Sequence, residues 1–347
     1  MSVHISHDSI NSNSTNFNAE ESIAKAHEAI ESLSSILGDL PSPLSSDNPA
    51  ASLLHNTELA AKISSHLRQP NSGAGNNPLC RWLYDTFQSS DPNLQLVVLR
   101  FLPIISGIYL SRAISRKPLA GFEAVLLALY AHETTSRAGQ AITVTIPCLS
   151  RSSIYHESKV STNSNASGLN IAVLSPSLEP HGTVRATKRA RIVGVALELY
   201  FTKISLMPIG SKIDFCEFCM NWAGHKDDKE QSSSSEMRNE NESVVKGGRN
   251  VSIIEGEERR GRIPLPWELL QPILRVLGHC LVGPNNSEEL TQAALAASRC
   301  LYERALHEVN PRAILAVESL LKLAKVAMDS TDKTDPTEIY EDNIITL

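Results

Sequence analysis

The sequence predicts a mainly α-helical protein, with a single helical-bundle domain and a small β element near residues 141–155. Three observations favour this class. Most patterned segments carry apolar residues at helical spacing, and prolines, glycines and capping residues separate them at helix-like lengths. Residues 141–147 instead alternate and are rich in β-branched side chains, which suit strands. The 347 residues are 41% hydrophobic, which is enough to form a buried core.

Residues 1–48 are predicted to form an N-terminal extension that is largely disordered or loosely helical. Its first 17 residues are dominated by Ser and Asn, a composition typical of disorder. Apolar residues recur at helical spacing over 18–37, so one helix is expected there, ended by Gly38 and the prolines that follow. The helical domain is predicted over 49–328.

The first part of the domain is predicted to hold its central helices. One helix is expected over 49–67, and a short one follows around Trp82. Asp91 and Pro92 predict a helix start. The Asp side chain can cap free backbone N–H groups, and the N–H that Pro lacks would have no partner in the first turn of a helix. Pro103 is expected to kink or restart the apolar stretch after it. The strongest helix is predicted over 119–133, with four residues that can approach a neighbour closely: Ala124, Leu127, Ala128 and Ala131.

The β element is expected to begin with a strand over 141–147. Either 151–155 or 169–174 is its candidate partner, inside a stretch that otherwise has the composition of a loop. Helices are then predicted over 187–207 and 212–223.

The last part of the domain is interrupted by an insert at 225–262. This insert has 17 charged residues among its 38, so we expect disorder. Helices are predicted over 267–281, from a Ser287 cap onward, and from Pro311 to residue 328, with the last two forming a pair. The helix after Ser287 is expected to have one apolar face: Leu290, Ala294, Ala297, Leu301 and Ala305. The helix at 187–207 is expected to turn a similar set inward: Ile192, Val195, Ala196, Leu199 and Tyr200. Residues 329–347 are predicted to be a disordered acidic tail.

Few residues suggest catalysis or metal binding. Cys216 and Cys219 form a CxxC followed by His225, but without a further ligand pair nearby we expect buried thiols rather than zinc. Glu123 lies on an apolar helix and is expected to pair with Arg112 or Arg116, because an unpaired buried carboxylate is costly. We predict no catalytic residues, no cofactor and no metal.

Two His-Glu pairs are further catalytic candidates. His132-Glu133 is expected at a helix end, where a solvated cap explains it, and His156-Glu157 follows the strand region in a structural role. An enzyme using Glu123, His132 or His156 is the alternative, and it requires these groups to meet in one pocket.

Charge is unevenly distributed along the chain, whose formal net charge is -6. Residues 100–203 contain twelve Lys or Arg and five Glu. A cluster at the start of a predicted helix either forms a solvated or ion-paired face or contacts an acidic partner or anionic lipid: Arg185, Lys188, Arg189 and Arg191. The insert offers a possible phosphorylation run beside acidic residues: Ser232, Ser233, Ser234 and Ser235.

Two segments resemble the hyccin family. One is LPIISGIYL at 102–110, followed by GFEAVLLALY at 121–130; the other is IPCLSRSSIYHE at 146–157. The second string is similar to the family's IPxLSxPSxYHE-type segment, with Ser152 where animal members tend to carry Pro. The insert and the long N-terminus depart from the animal pattern and resemble a plant-type member.

The resemblance implies a non-enzymatic, largely helical subunit. Hyccin-like proteins associate with a tetratricopeptide-repeat scaffold and support phosphatidylinositol 4-kinase type III alpha, which makes phosphatidylinositol 4-phosphate at the plasma membrane. A separate lipid-anchored subunit brings that complex to the bilayer. We therefore expect a cytoplasmic protein recruited to the plasma membrane, without nucleic-acid binding. The alternative is a peripheral module that binds anionic lipid through the basic cluster at 185–191.

Overall fold

The computed structural model describes residues 9–38, 48–146, 170–179, 188–224, 266–284 and 286–329. Within these ranges the chain forms twelve helices and one two-stranded sheet, which confirms the predicted fold class. The helices are α1 (Ser9–Leu37), α2 (Pro49–His55), α3 (Thr57–Arg68), α4 (Pro78–Gln88), α5 (Pro92–Arg100), α6 (Leu102–Ser115), α7 (Ala120–Ser136), α8 (Arg189–Thr202), α9 (Ile209–Ala223), α10 (Trp267–Val282), α11 (Glu288–His307) and α12 (Pro311–Asp329). The strands are β1 (Ile142–Ile146) and β2 (Asn170–Ser175), and a 3-10 turn, Ile204–Leu206, follows α8.

Helix α1 begins at Ser9, earlier than the predicted start at residue 18. It packs on α2 and α4 and buries one face: Ala26, Ala29, Leu33 and Leu37. The indole N–H of Trp82 donates a hydrogen bond to the Ala29 carbonyl at 2.8 Å. Residues assigned to a loose extension therefore contribute to the core.

The helix predicted over 49–67 is divided into α2 and α3 at Asn56. The backbone of Asn56 is extended, with φ -69° and ψ 113°, and its side chain accepts a hydrogen bond from the Leu59 N–H at 2.9 Å. Asn often caps helices because its short amide competes for nearby backbone groups. The prediction of one continuous helix was wrong here.

The start of α5 is confirmed, since Asp91 accepts hydrogen bonds from the Asn93 and Leu94 N–H groups, both at 2.9 Å. Pro103 lies in the first turn of α6, where it restarts the helix rather than kinking one. Among the described helices, none alone is long and apolar enough to cross a membrane. Helices α5 and α6 reach that length and composition only as a pair bent by 48°.

The predicted small-residue contact of α7 was wrong in detail. Ala128 is buried and Leu127 packs against the core as predicted, but Ala124 and Ala131 are exposed. The helix also buries larger residues: Phe122, Val125, Leu126 and Leu129. Close approach occurs at Gly121, where an added Cβ would lie 2.5 Å from the Ala74 carbonyl oxygen. The helix therefore packs through one glycine and a bulky face.

Strand β1 pairs antiparallel with β2, so the alternative partner at 169–174 is the observed one. The other candidate, 151–155, lies outside the described residues. Arg137 donates to the Ser175 and Pro176 carbonyls, and the Gln271 amide donates to the Leu174 carbonyl at 2.9 Å. The sheet is thereby tied to the ends of α7 and to α10.

The C-terminal helices follow the predicted pattern. The Ser287 side chain caps α11 by accepting from the Leu290 N–H at 3.2 Å. The predicted inner face of α11 is buried throughout and packs mainly on α9: Leu290, Ala294, Ala297, Leu301 and Ala305. Helix α12 packs on α10 and α11. The insert at 225–262 and the tail beyond Asp329 lie outside the described residues.

Candidate interaction surface

Helix α12 is apolar on two opposite sides. Its inner side is buried through Ala313, Val317 and Ala324. On its outer side, Leu315 is 66% exposed and Val326 is 60% exposed. These two residues are about three helical turns apart and therefore project in the same direction. A surface helix normally carries charged and polar residues on its outer side, so the exposed Leu315 and Val326 depart from that pattern and are suited to a partner.

A shallow, open groove extends this outer side at the N-terminal end of α12. Trp267, the first residue of α10, lines it together with Arg312, Leu315, Ala316 and Ser319. Trp267 is 39% exposed. We call the surface formed by Trp267, Leu315, Leu323 and Val326 the α12 face. An amphipathic aromatic residue beside aliphatic ones is typical of protein interfaces.

Cations border the α12 face. Arg312, Lys322 and Lys325 are exposed on the same helix. Lys322 is 2.8 Å from a carboxylate oxygen of Glu318, and this hydrogen bond raises the pKa of the Lys322 ammonium. Exposed Glu268 adjoins Trp267, so the border is mixed with an excess of positive charge. The surface therefore suits an apolar partner with some negative charge.

The sequence contained a signal for this surface. Leu315 and Val326 fall opposite the buried residues of α12 when the apolar segment is given the helical period, and Leu323 falls on the flank beside them. Sequence alone identified an apolar last helix but could not tell its inner side from its outer side, because packing on α10 and α11 decides that.

The basic cluster is partly engaged with its own chain. Lys188 pairs with Glu179 at 2.7 Å, and Arg191 donates to the Ser177 carbonyl at 2.7 Å. Arg189 interacts with the Tyr109 hydroxyl, and burial raises the pKa of Tyr109 to about 12. All three cations are half-buried, and Arg185 lies outside the described residues. Whether the cluster contacts lipid stays a prediction.

The catalytic candidates are not brought together by the described residues. Glu123 accepts a hydrogen bond from the Tyr109 hydroxyl at 3.3 Å, not from Arg112 or Arg116 as predicted. The exposed His132 ring packs edge-on against Phe87 at 5.3 Å. Nine residues of helix, about 13 Å, separate it from Glu123. His156 lies outside the described residues.

Glu133 belongs to a buried ion cluster, so the predicted solvated cap was wrong. Arg137 lies between two carboxylates, 3.8 Å from Glu133 on α7 and 3.6 Å from Glu198 on α8. Burial raises the pKa of Glu198, while a hydrogen bond to Ser175 and the charge of Arg137 oppose that rise. Glu133 and Arg137 are spaced as a helical i,i+4 pair, the one signal that sequence offered.

Four thiols meet where α9, α10 and α11 pack. Cys216, Cys219, Cys280 and Cys300 are all buried and reduced. A hydrogen bond donated by the Cys216 thiol to Cys280, together with burial, raises the pKa of Cys216, and burial raises that of Cys219. These thiols are not arranged to hold a metal ion, and neither is any other group of three or more His, Cys, Asp or Glu in the described part of the chain. His225 and the phosphorylation run at 232–235 lie outside it.

Comparison with known protein families gives one match. The family described as Hyccin matches residues 44–342, which is most of the chain. The match begins after α1 and continues past the end of α12 at Asp329.

Proposed function

The chain belongs to the hyccin family, and from this premise we propose that it is a non-catalytic subunit of a phosphatidylinositol 4-kinase type III alpha complex. In this role it binds a tetratricopeptide-repeat scaffold, stabilises the assembly at the plasma membrane and thereby supports synthesis of phosphatidylinositol 4-phosphate. Its membrane association is indirect, through a lipid-anchored subunit of the complex.

The α12 face is the observation that supports this proposal most. A helix whose inner side fills the core gains nothing for its own fold from a second apolar side in water. Leu315, Leu323 and Val326 are 66%, 43% and 60% exposed, so burying the rest of each side chain against another polypeptide would contribute about 1–2 kcal/mol. We therefore place the scaffold contact on this face.

A pair of charge substitutions tests that placement. Leu315→Asp combined with Val326→Asp should weaken binding to the co-expressed repeat scaffold by more than about tenfold, because two central apolar contacts become buried charges. The measurement is affinity pull-down followed by titration of the purified complex.

Leu206→Asp is the matched control for these variants. Leu206 is also an exposed leucine, but it lies in the turn between α8 and α9. The control should bind the scaffold normally. Binding of the double variant at the level of the original chain would refute the placement on α12.

Affinity purification from native membranes tests the wider assignment. We expect a repeat scaffold and a lipid kinase to co-purify with the full chain. A chain with no affinity for such a scaffold, or one that turns over a substrate unaided, would overturn the proposal.

The lipid-binding alternative has less support, because Lys188 and Arg191 already have partners within the chain. Reversing the charges of Lys188, Arg189 and Arg191 should leave sedimentation with anionic liposomes unchanged. A clear loss of sedimentation in low salt would revive this alternative.

A further inference from the structure

The described part of the chain leaves the α12 face uncovered, and the sequence continues directly from that helix. Helix α12 ends at Asp329, and residues 330–347 follow it. The occupant of the face in the free subunit can therefore come from the same molecule, at a high effective concentration.

The chemistry of residues 330–347 complements the α12 face. The segment has five acidic residues and one lysine, whereas the helix presents Arg312 and Lys325, with Lys322 already paired to Glu318. Within this acidic segment lie several large apolar side chains, which match the exposed Trp and aliphatic residues of the face: Ile339, Tyr340, Ile344, Ile345 and Leu347. An acidic segment with apolar anchors fits an apolar surface bordered by cations.

The segment is also long enough to reach back along the helix. Leu315 lies 14 residues before Asp329, a distance of about 21 Å along the axis. Ile339 follows Asp329 by ten residues, which can span about 33 Å when extended. Pro336 lacks an N–H, which disfavours a regular helix that would continue α12 through this position.

The family match continues to residue 342, thirteen residues beyond the end of α12, and so extends over Ile339 and Tyr340.

We propose that residues 330–347 cover the α12 face in the free subunit, with Ile339 and Tyr340 in the groove beside Trp267 and Leu315. The segment shields the apolar side of the helix until a partner arrives. Displacement of the segment by the scaffold rests on the function proposed above. Docking of the segment on the α12 face does not depend on that function.

Tryptophan fluorescence of the full chain tests the docking. The chain has three tryptophans, and Trp82 and Trp222 are buried, so acrylamide quenching reports mainly on Trp267. Ile339→Asp with Tyr340→Asp should lower the docking equilibrium constant by more than about tenfold, because two apolar anchors are lost. Trp267 emission should then shift to the red and its quenching should increase.

Thr337→Asp with Asn343→Asp is the matched control, since it adds the same charge and keeps every apolar anchor. It should leave the emission of Trp267 in place. Lys322→Glu with Lys325→Glu changes the other side of the contact and should also increase quenching in low salt. The inference is overturned if acrylamide quenches Trp267 fluorescence equally in the Ile339→Asp/Tyr340→Asp variant and the original chain. It is also overturned if the shielding of Trp267 depends on protein concentration, because a second copy then provides it.

Scaffold titration separates this inference from the proposed function. If the scaffold displaces the segment, the anchor variant should bind the scaffold several-fold more tightly, because the competing occupant is gone. If fluorescence shows docking but scaffold affinity does not change, the docking stands and the placement of the scaffold on α12 is wrong.

Discussion

Gly194 sets the distance between α8 and α10. A Cβ added there would lie 2.5 Å from the backbone carbonyl oxygen of Glu268, which cannot move without shifting α10. We predict that Gly194→Ala lowers the free energy of unfolding by about 1–3 kcal/mol, as expected for overpacking. Urea denaturation followed by circular dichroism measures this change.

Gly210→Ala is the control for that prediction, because the same methyl group meets nothing within 4 Å in α9. It should leave stability unchanged or raise it by up to about 1 kcal/mol, through helix propensity. Equal destabilisation by both substitutions would show that close approach at Gly194 is not the cause.

Arg137 holds two buried carboxylates, so its removal should be costly. Arg137→Met should lower the free energy of unfolding by about 3–5 kcal/mol at pH 7, since Glu133 and Glu198 are left as uncompensated charges. Adding Glu198→Gln should restore part of this loss. Thermal and urea unfolding of the single and double variants measure the coupling.

The Arg137→Met deficit should also depend on pH. Burial already raises the pKa of Glu198 above 4.5, and losing Arg137 raises it further. A carboxyl with a raised folded-state pKa binds its proton more tightly than in the unfolded chain, so stability falls as pH rises through that interval. The deficit should therefore shrink between pH 7 and pH 5. A deficit that is constant with pH would show that lost hydrogen bonds, not charge, cause it.

Burial of individual residues was predictable where the helical period was regular. The inner residues expected for α8 and α11 are buried, and Cys216 and Cys219 are core residues as expected. The charge of Glu133 suggested solvent, although Arg137, which compensates it, is only four residues away. The second carboxylate that shares Arg137, Glu198, is 65 residues from Glu133 in sequence. Long-range pairing of charges leaves no local pattern.

At the level of elements, Asn56 shows how one cap changes the arrangement of helices. Asn56→Ala should cost about 1 kcal/mol, because the amide that caps α3 is lost. Asn93→Ala, an exposed position inside α5, should change stability by less than about 0.5 kcal/mol. Chemical denaturation of the two variants compares them directly, and equal effects would contradict a capping role.

Most helices were predictable because caps and prolines mark their ends. Asp91, Ser287 and Pro311 each begin a helix where the sequence indicated one. The sequence does not distinguish the two candidate partners of β1, because strand pairing depends on contacts far away in sequence, such as the hydrogen bond from Gln271. The division at Asn56 was missed because an apolar stripe continues on both sides of it.

For the whole molecule, α1 is expected to unfold together with the rest. Leu33 is fully buried on the side of α1 that packs against α2 and α4. Leu33→Ala should therefore lower the global free energy of unfolding by about 2–5 kcal/mol, with a single transition.

Ile23→Ala is the control on the same helix, since Ile23 is exposed and should cost less than about 1 kcal/mol. Calorimetry and tryptophan fluorescence together show whether α1 unfolds with the rest of the chain or before it. Fluorescence reports on α1 because Trp82 contacts it directly. An early, separate transition of α1, with the main transition unchanged, would show that it is an independent appendage.

The buried thiols at the junction of α9, α10 and α11 are natural reporters of local opening. Thiolates react with iodoacetamide, whereas Cys216 and Cys219 are neutral and out of reach while the junction stays closed. The alkylation rate of these two residues, read by mass spectrometry, therefore times each opening of the C-terminal bundle without any introduced label.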